Sequence, residues 1–188
     1  MKIRESGMPG EKYWESFFDV NYIFNRLQLN DKVKNLVEFG SGYGTFTIPA
    51  AKIIKGNVYA LEIESSMINH LKQKVTRENL SNIKILQKDF VKDATGLKDN
   101  SIDYVMLFNI LHAENPDILL NEAYRILKEG SKAGIIHWIH SSTTPRGPSM
   151  DIRPTPVQCV NWLIEAKFKI IRNEISLPPY HYGILAEK

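Results

Sequence analysis

Three glycines at alternate positions, Gly40, Gly42 and Gly44 in VEFGSGYGTF (37–46), are the first constellation in the chain that bears on chemistry. They follow the apolar run KNLVEF and precede a segment of helical character. Glycine admits positive φ and lets the backbone approach a ligand with no Cβ in the way. The start of a helix adds free N–H donors. Together these features suit a bound nucleotide. The dinucleotide fingerprint is G-x-G-x-x-G; here the third glycine comes one residue early, and Thr45 stands where it would fall. Two acids extend the pattern. Glu62, in VYALEIESSM, follows Gly40 by 22 residues, the placement of an acid that accepts hydrogen bonds from ribose hydroxyls. Asp89 and Phe90, in KDF, supply an acceptor for an exocyclic amino group and a ring to lie beside a base.

These residues need a scaffold that brings strand ends to one edge. KNLVEFG (34–40), NVYALEI (57–63), IKILQKDF (83–90), SIDYVMLFNIL (101–111) and KAGIIHWIHS (132–141) read as buried strands. Helical patterns separate them. In TFTIPAAKIIK, Pro49 is tolerable only near the first turn. Ser65 is placed to cap SMINHLKQKVTREN. PDILLNEAYRILKEG is an amphipathic helix with Gly130 as its stop. KYWESFFDVNYIFNRLQL spaces Trp14, Phe17, Phe18, Ile23 and Leu27 as one N-terminal helical segment. PVQCVNWLIEAKF (156–168) is a last helix, before KIIRNEISL (169–177) and YGILAEK (182–188), strands joined by the turn PPYH. The alternation predicts an α/β fold: one doubly wound sheet of seven mostly parallel strands, helices on both faces. The final connection is too short for a crossover, so the last strand runs antiparallel to the sixth. In such sheets ligands bind beyond the carboxyl ends of the strands, where strand order reverses. The chain reads as a single domain over 1–188. Residues 1–30 form a lid or packing segment and 34–188 the Rossmann-like core.

With the acid-x-Gly-x-Gly-x-Gly loop, an acid ending strand two, Asp89 ending strand three and IDYVMLFNILH as strand four, the sequence resembles the class I S-adenosylmethionine-dependent methyltransferases. It is most similar to the small-molecule branch typified by ubiquinone- and menaquinone-biosynthesis-type enzymes, which EAYRILKEGSKAGII also resembles. The resemblance covers residues 34–140 well and the C-terminal strands loosely. It implies S-adenosyl-L-methionine as cofactor, with Glu38 organising the glycine loop and Gly40, Gly42 and Gly44 lining the methionine portion. It also implies Glu62 on the ribose, Ile63 packed on adenine, Asp89 on the adenine amino group, the Phe90 backbone near the ring, and Asn109 near the sulfonium and amino acid moiety.

The methyl of that cofactor is already activated, so much of the catalysis is orientation. An amine or thiolate acceptor needs little further help, whereas a hydroxyl acceptor needs a general base. The candidates are His112 after strand four and His137 and His140 on strand five, with His140 nearer the carboxyl edge; each also has a purely structural reading. His70 is expected to face solvent and His181 to be structural. The acceptor pocket is expected between two segments: the N-terminal helix, with Trp14 as contact, and the long loop SSTTPRGPSMDIRPTP (141–156). That loop carries four prolines, and Arg146 or Arg153 is expected to read an anionic group on the acceptor.

Composition narrows the classes. Net charge is +3, from 24 basic and 21 acidic residues, which argues against a dedicated nucleic-acid binder. Cys159 is the only cysteine, so no internal disulfide or Cys-rich metal site forms, and a reducing, cytoplasmic setting is expected. No metal site is read at the strand ends. Residues 1–10 contain no apolar signal core, and no run is long enough for a membrane span. The expected function is methyl transfer to a small-molecule acceptor. The rivals are a nicotinamide-dependent oxidoreductase, a non-catalytic S-adenosylmethionine-binding protein and a macromolecular methyltransferase. Oligomeric state is not legible.

Overall fold

β1 (Leu36–Phe39) is buried at all four positions, as a strand covered on both faces must be. The computed structural model describes residues 8–188, so most of the MKIRESGMPG stretch lies outside the described residues. β1 pairs in parallel with β2 (Val58–Glu62) on one side and β4 (Ile102–Phe108) on the other. β3 (Ile83–Gln87), β5 (Leu127–Trp138), β6 (Lys169–Leu177) and β7 (His181–Glu187) complete a seven-stranded sheet of order β3-β2-β1-β4-β5-β7-β6. β7 is antiparallel to both of its neighbours, the exception the short last connection predicts. Strand order reverses between β1 and β4, so the edge beyond those two strands is the expected ligand crevice.

Each face of the sheet carries its own apolar layer. Val37, Phe39, Leu61, Leu107 and Ile135 pack with Leu119 and Leu120 of α5 (Pro116–Ile126) and Leu163 of α6 (Pro156–Glu165). Leu36, Val58, Ala60, Met106 and Ile136 pack with α2 (Val20–Arg26), α3 (Thr47–Ile53) and Leu71 of α4 (Ser65–Arg77). Burying a side chain of this size is worth about 1.5–3 kcal/mol, and β1 and β4 contribute side chains to both layers.

Three local expectations are corrected. The N-terminal segment is two helices, α1 (Glu11–Glu15) and α2. Asp19 divides them, because its side chain accepts the Tyr22 N–H and starts a new helix. Ser65 is the first helical residue of α4 and not its cap; Glu64 holds the cap position, and Ser65 Oγ accepts from Gln87 Nε2 at 3.0 Å. Gly130 does not stop a helix. α5 ends at Ile126, and Gly130, at φ +71°, lies in an irregular stretch of β5 where the register to β4 shifts. Pro49 does fall in the first turn of α3.

Candidate active site

The crest between β1 and α3 is built from the glycine run. Gly40 and Ser41 both donate to Leu61 O at 3.0 Å, which ties the loop to the end of β2. Glu62 completes the tie: its Oε2 accepts from Gly42 N at 2.8 Å, and its Oε1 accepts from Ile63 N and Glu64 N at 2.8 and 3.0 Å. The glycines are not equivalent. A Cβ on Gly42 would meet only the Met8 thioether, with Sδ at 2.8 Å. A Cβ on Gly44 would lie 2.5 Å from Leu71 Cδ1, and Gly44 does not line the cavity below the loop. Its expected place along the methionine portion is therefore corrected to a packing role: α4 approaches the backbone too closely for a side chain.

A cavity of about 370 Å³ opens at the switch point. Of the residues expected there, Trp14, Glu38, Gly40, Gly42, Glu62, Ile63, Phe90, Asn109, His112 and Arg146 form its walls. Asp89 does not; its Oδ1 accepts from Lys92 N at 3.1 Å in the turn after β3. The walls also contain Met8, Ser41, Thr45, Met67, Trp138, Gly147 and Pro148, which sequence reasoning did not single out. The hydroxyls of Ser41 and Thr45 had a signal, since both stand inside the glycine run. Met8 and Trp138 had none short of the tertiary fold.

Several polar groups on this wall are buried with no protein partner: Ser41 Oγ, Thr45 Oγ1, and both Oδ1 and Nδ2 of Asn109. Asn109 also sits at φ +53°, just beyond β4. An unsatisfied buried polar group costs about 1–3 kcal/mol, and these four atoms belong to residues that line this cavity. Glu38 is buried as well. Its hydrogen-bond donor is the Thr47 hydroxyl, and burial pushes its pKa up to about 8.

The histidines separate by partner. His137 Nε2 lies 3.3 Å from His112 Nδ1, and His112 reaches the cavity wall. Burial holds His137 well below the usual imidazole range, so it stays neutral. His140 is corrected: it lies off the cavity, and its Nδ1–H donates to Arg153 O at 2.8 Å. His181 is stacked among Phe18 and Trp138, ring centroids at 4.6 and 4.3 Å, and burial lowers its pKa to about 3. His70 does not stand free in solvent, because Glu11 Oε2 lies 2.9 Å from its Nε2.

Arg153 is corrected in the same way. Its buried guanidinium donates to the carbonyls of Ile139, Ser141 and Pro148 and to Thr144 Oγ1, so it braces the loop instead of facing an acceptor. A Cβ on Gly147 would meet Arg153 Nη2 at 2.6 Å and Trp138 Cγ at 3.0 Å, and Gly147 itself has φ +125°. The loop then ends on a capping box at α6, where Thr155 Oγ1 accepts from Gln158 N and Gln158 Oε1 accepts from Thr155 N. The effect is to present Arg146, Gly147 and Pro148 to the cavity. At the opposite wall, α1 is fastened to α4 by Lys74, whose Nζ lies 2.6 Å from Glu11 and 3.3 Å from Glu15. Trp14 on α1 reaches Trp138 on β5, with ring centroids 6.4 Å apart.

The sequence profile of the methyltransferase domain family matches residues 37–135, the stretch that builds this edge. The chain belongs to that family. Among curated relatives, a ribosomal RNA small subunit methyltransferase A, so described as probable, from Methanosphaera stadtmanae is 36% identical over 73 residues, 39% of this chain and 26% of its own. A demethylmenaquinone methyltransferase from a Geobacillus species is 29% identical over 104 residues, 54% of this chain and 44% of its own. The chain thus spans less than half the length of these two relatives. A SAM-dependent methyltransferase of known structure from Aquifex aeolicus superposes with a TM-score of 0.82, at 23% identity, covering 94% of this chain and 92% of that one; that likeness is one of fold.

The cofactor of this methyltransferase domain is S-adenosyl-L-methionine, and the wall suits it. The ligand carries hydroxyls, an amino acid head and a flat base. Against it stand the Glu62 carboxylate, the unpartnered Asn109 amide and hydroxyls, and the apolar sides of Ile63 and Phe90. Among the described residues no helix is long and apolar enough to cross a membrane.

Proposed function

We propose that this methyltransferase domain transfers a methyl group from S-adenosylmethionine to a small-molecule acceptor held between Trp14, Trp138 and the Arg146–Pro148 segment. The observation that carries the reading is the Asn109 amide, buried, at positive φ and without a partner, on the wall of a cavity at the switch point of the sheet. When bound, the cofactor supplies a methyl already activated by its sulfonium. Glu62 holds the ribose while fixing the glycine loop, Ile63 and Phe90 flank the adenine, and Asn109 hydrogen-bonds the amino acid moiety. Asp89 is left out of the set because its carboxylate does not line the cavity.

Trp14 and Trp138 exclude water and offer flat apolar walls, which supports a compact acceptor with a planar portion. Arg146 on the same wall suits an anionic substituent. His112 is the base for a hydroxyl acceptor, backed by neutral His137. The similarity to a demethylmenaquinone methyltransferase supports a small-molecule acceptor, and the similarity to a ribosomal RNA small subunit methyltransferase A keeps a macromolecular acceptor as the rival. The compartment is read as cytoplasmic, since a chain with Cys159 as its only cysteine suits a reducing setting.

The test is transfer of radiolabelled methyl from S-adenosylmethionine to a panel of phenols, hydroquinones, amines and thiols. Label in a ring hydroxyl or ring carbon product supports the reading. Calorimetry with S-adenosylmethionine, S-adenosylhomocysteine and NAD accompanies it, and tighter binding of NAD would overturn it.

A further inference from the structure

Glu38 lies on the cavity wall at 2% exposure, projecting from the centre of β1. Among the described residues no basic side chain reaches it; its hydrogen-bond donor is the Thr47 hydroxyl of α3. The charged group that bears on it is a second carboxylate, Glu62, at the end of β2. Elements packed nearby offer no relief. On β4, Asp103 is engaged by Lys128 and Tyr104 donates to Leu27 O. On α4, Lys74 and His70 are turned to Glu11. His112, Glu64 and Arg146 line the same cavity, and none of them bears on the Glu38 carboxyl. A buried carboxylate with no counter-charge and a like charge beside it keeps its proton.

We infer that Glu38 is a proton-linked selector for a cationic occupant of this cavity: it is neutral in the free protein, and it ionises, releasing its proton to solvent, when a ligand brings positive charge beside it. The inference rests on the reading of the cavity as an S-adenosylmethionine site. That ligand carries a sulfonium and an ammonium; 5′-methylthioadenosine keeps the adenosine and the sulfur and has neither cation. The two therefore share the adenosine contacts and differ in the positive charge brought beside Glu38. The raised carboxyl pKa, about 8, puts the linkage in an accessible window.

The experiment is calorimetry of both ligands with the full chain at pH 6, 7 and 8, in paired buffers of different ionisation enthalpy. For wild type, S-adenosylmethionine should release close to one proton at pH 7 and gain about tenfold in affinity from pH 6 to pH 7, one pH unit below the Glu38 pKa. Glu38→Gln should abolish the release and flatten the profile. 5′-Methylthioadenosine should release no proton from either protein. Thr47→Val removes the hydroxyl that favours the charged form, so its affinity profile should move to higher pH; this arm stands if Glu38→Gln folds poorly. Binding of S-adenosylmethionine without proton release, or release that persists in Glu38→Gln, overturns the inference while leaving the cofactor reading intact. Failure of wild type to bind S-adenosylmethionine overturns both.

Discussion

The Glu62 carboxylate accepts the Gly42 N–H at 2.8 Å, so the end of β2 and the crest of the glycine loop are one hydrogen-bonded unit. The same carboxylate takes Ile63 N and Glu64 N on its other oxygen. Glu62 is thus held in one orientation before any ligand arrives, and a fixed acceptor is what recognition of ribose hydroxyls needs. Glu62→Ala should weaken S-adenosylmethionine binding by about 1.5–3 kcal/mol, the range for hydrogen bonds to a charged group. Titration calorimetry measures this directly. Unchanged affinity would reduce Glu62 to a loop anchor.

The glycines should divide between binding and stability. Gly44→Ala places a methyl 2.5 Å from Cδ1 of Leu71, a fully buried core side chain, at a positive-φ position. Its expected cost is about 1–3 kcal/mol of stability, the usual range for overpacking, read in urea unfolding. Gly42→Ala, at φ +49°, shares that backbone strain, but its Cβ meets only the end of the Met8 side chain. It should lose ligand affinity with a smaller loss of stability. The reverse ranking would mean that Gly44, and not Gly42, faces the ligand.

The sheet was legible because its strands are short apolar runs between turn residues, and because parallel pairing permits few topologies. The Gly40, Glu62 and Asn109 positions were legible from their place at strand ends. What failed was side-chain direction beyond the strands. Asp89 follows β3 closely, yet its turn bonds to Lys92 N carry it off the cavity wall. Arg153 and Arg146 share one proline-rich loop and look alike in sequence. Only the folded loop shows that the Arg153 guanidinium is consumed by carbonyls while Arg146 is a wall residue of the cavity. Met8 and Trp138 join the site through packing between distant segments, which no local pattern encodes.

Arg153 is therefore expected to act on stability. Replacing it with Ala strands the carbonyl of Pro148 and opens space beside Gly147. Buried hydrogen bonds to a charged group are worth about 1.5–3 kcal/mol each, so Arg153→Ala should lower the melting temperature by ~5 °C or more. Arg153→Lys should recover little, since an ammonium cannot span the same fork of acceptors. Arg146→Ala should act on acceptor turnover, since Arg146 lines the cavity. Equal melting temperatures for wild type and Arg153→Ala would remove the brace.

Glu38 sets a pH dependence of stability with a definite sign. Its carboxyl pKa is about 8 in the folded protein against an ordinary 4.5, so between those values the folded state binds the extra proton. Stability from this group falls as pH rises through that window and is flat above it. Glu38→Gln removes the dependence. The variant should melt higher than wild type at pH 8, by ~3 °C or more, and the gap should close towards pH 4. A constant gap across the range would assign the difference to packing.

His112 and His137 form a buried imidazole pair in which the position of one proton decides whether the site has a base. For His112 to accept a proton at Nε2, its own proton must sit on Nδ1 and be donated to His137 Nε2, 3.3 Å away. That requires His137 to be a neutral acceptor, and burial depresses its pKa enough to keep it so. A base at His112 therefore requires its Nδ1–H tautomer, visible in the long-range nitrogen–proton correlations of a ¹⁵N-histidine-labelled sample. His137→Phe removes the acceptor and should shift His112 towards the Nε2–H form, which is the commoner one in free imidazole side chains. With a hydroxyl acceptor from the labelled-methyl panel, His112→Ala should then cut turnover by about 10²–10⁴, with a much smaller effect on S-adenosylmethionine affinity. His137→Phe should fall between wild type and that variant, losing kcat more than KM. If His112 already carries its proton on Nε2 in wild type, it is a wall residue, and the acceptor is one that needs no base.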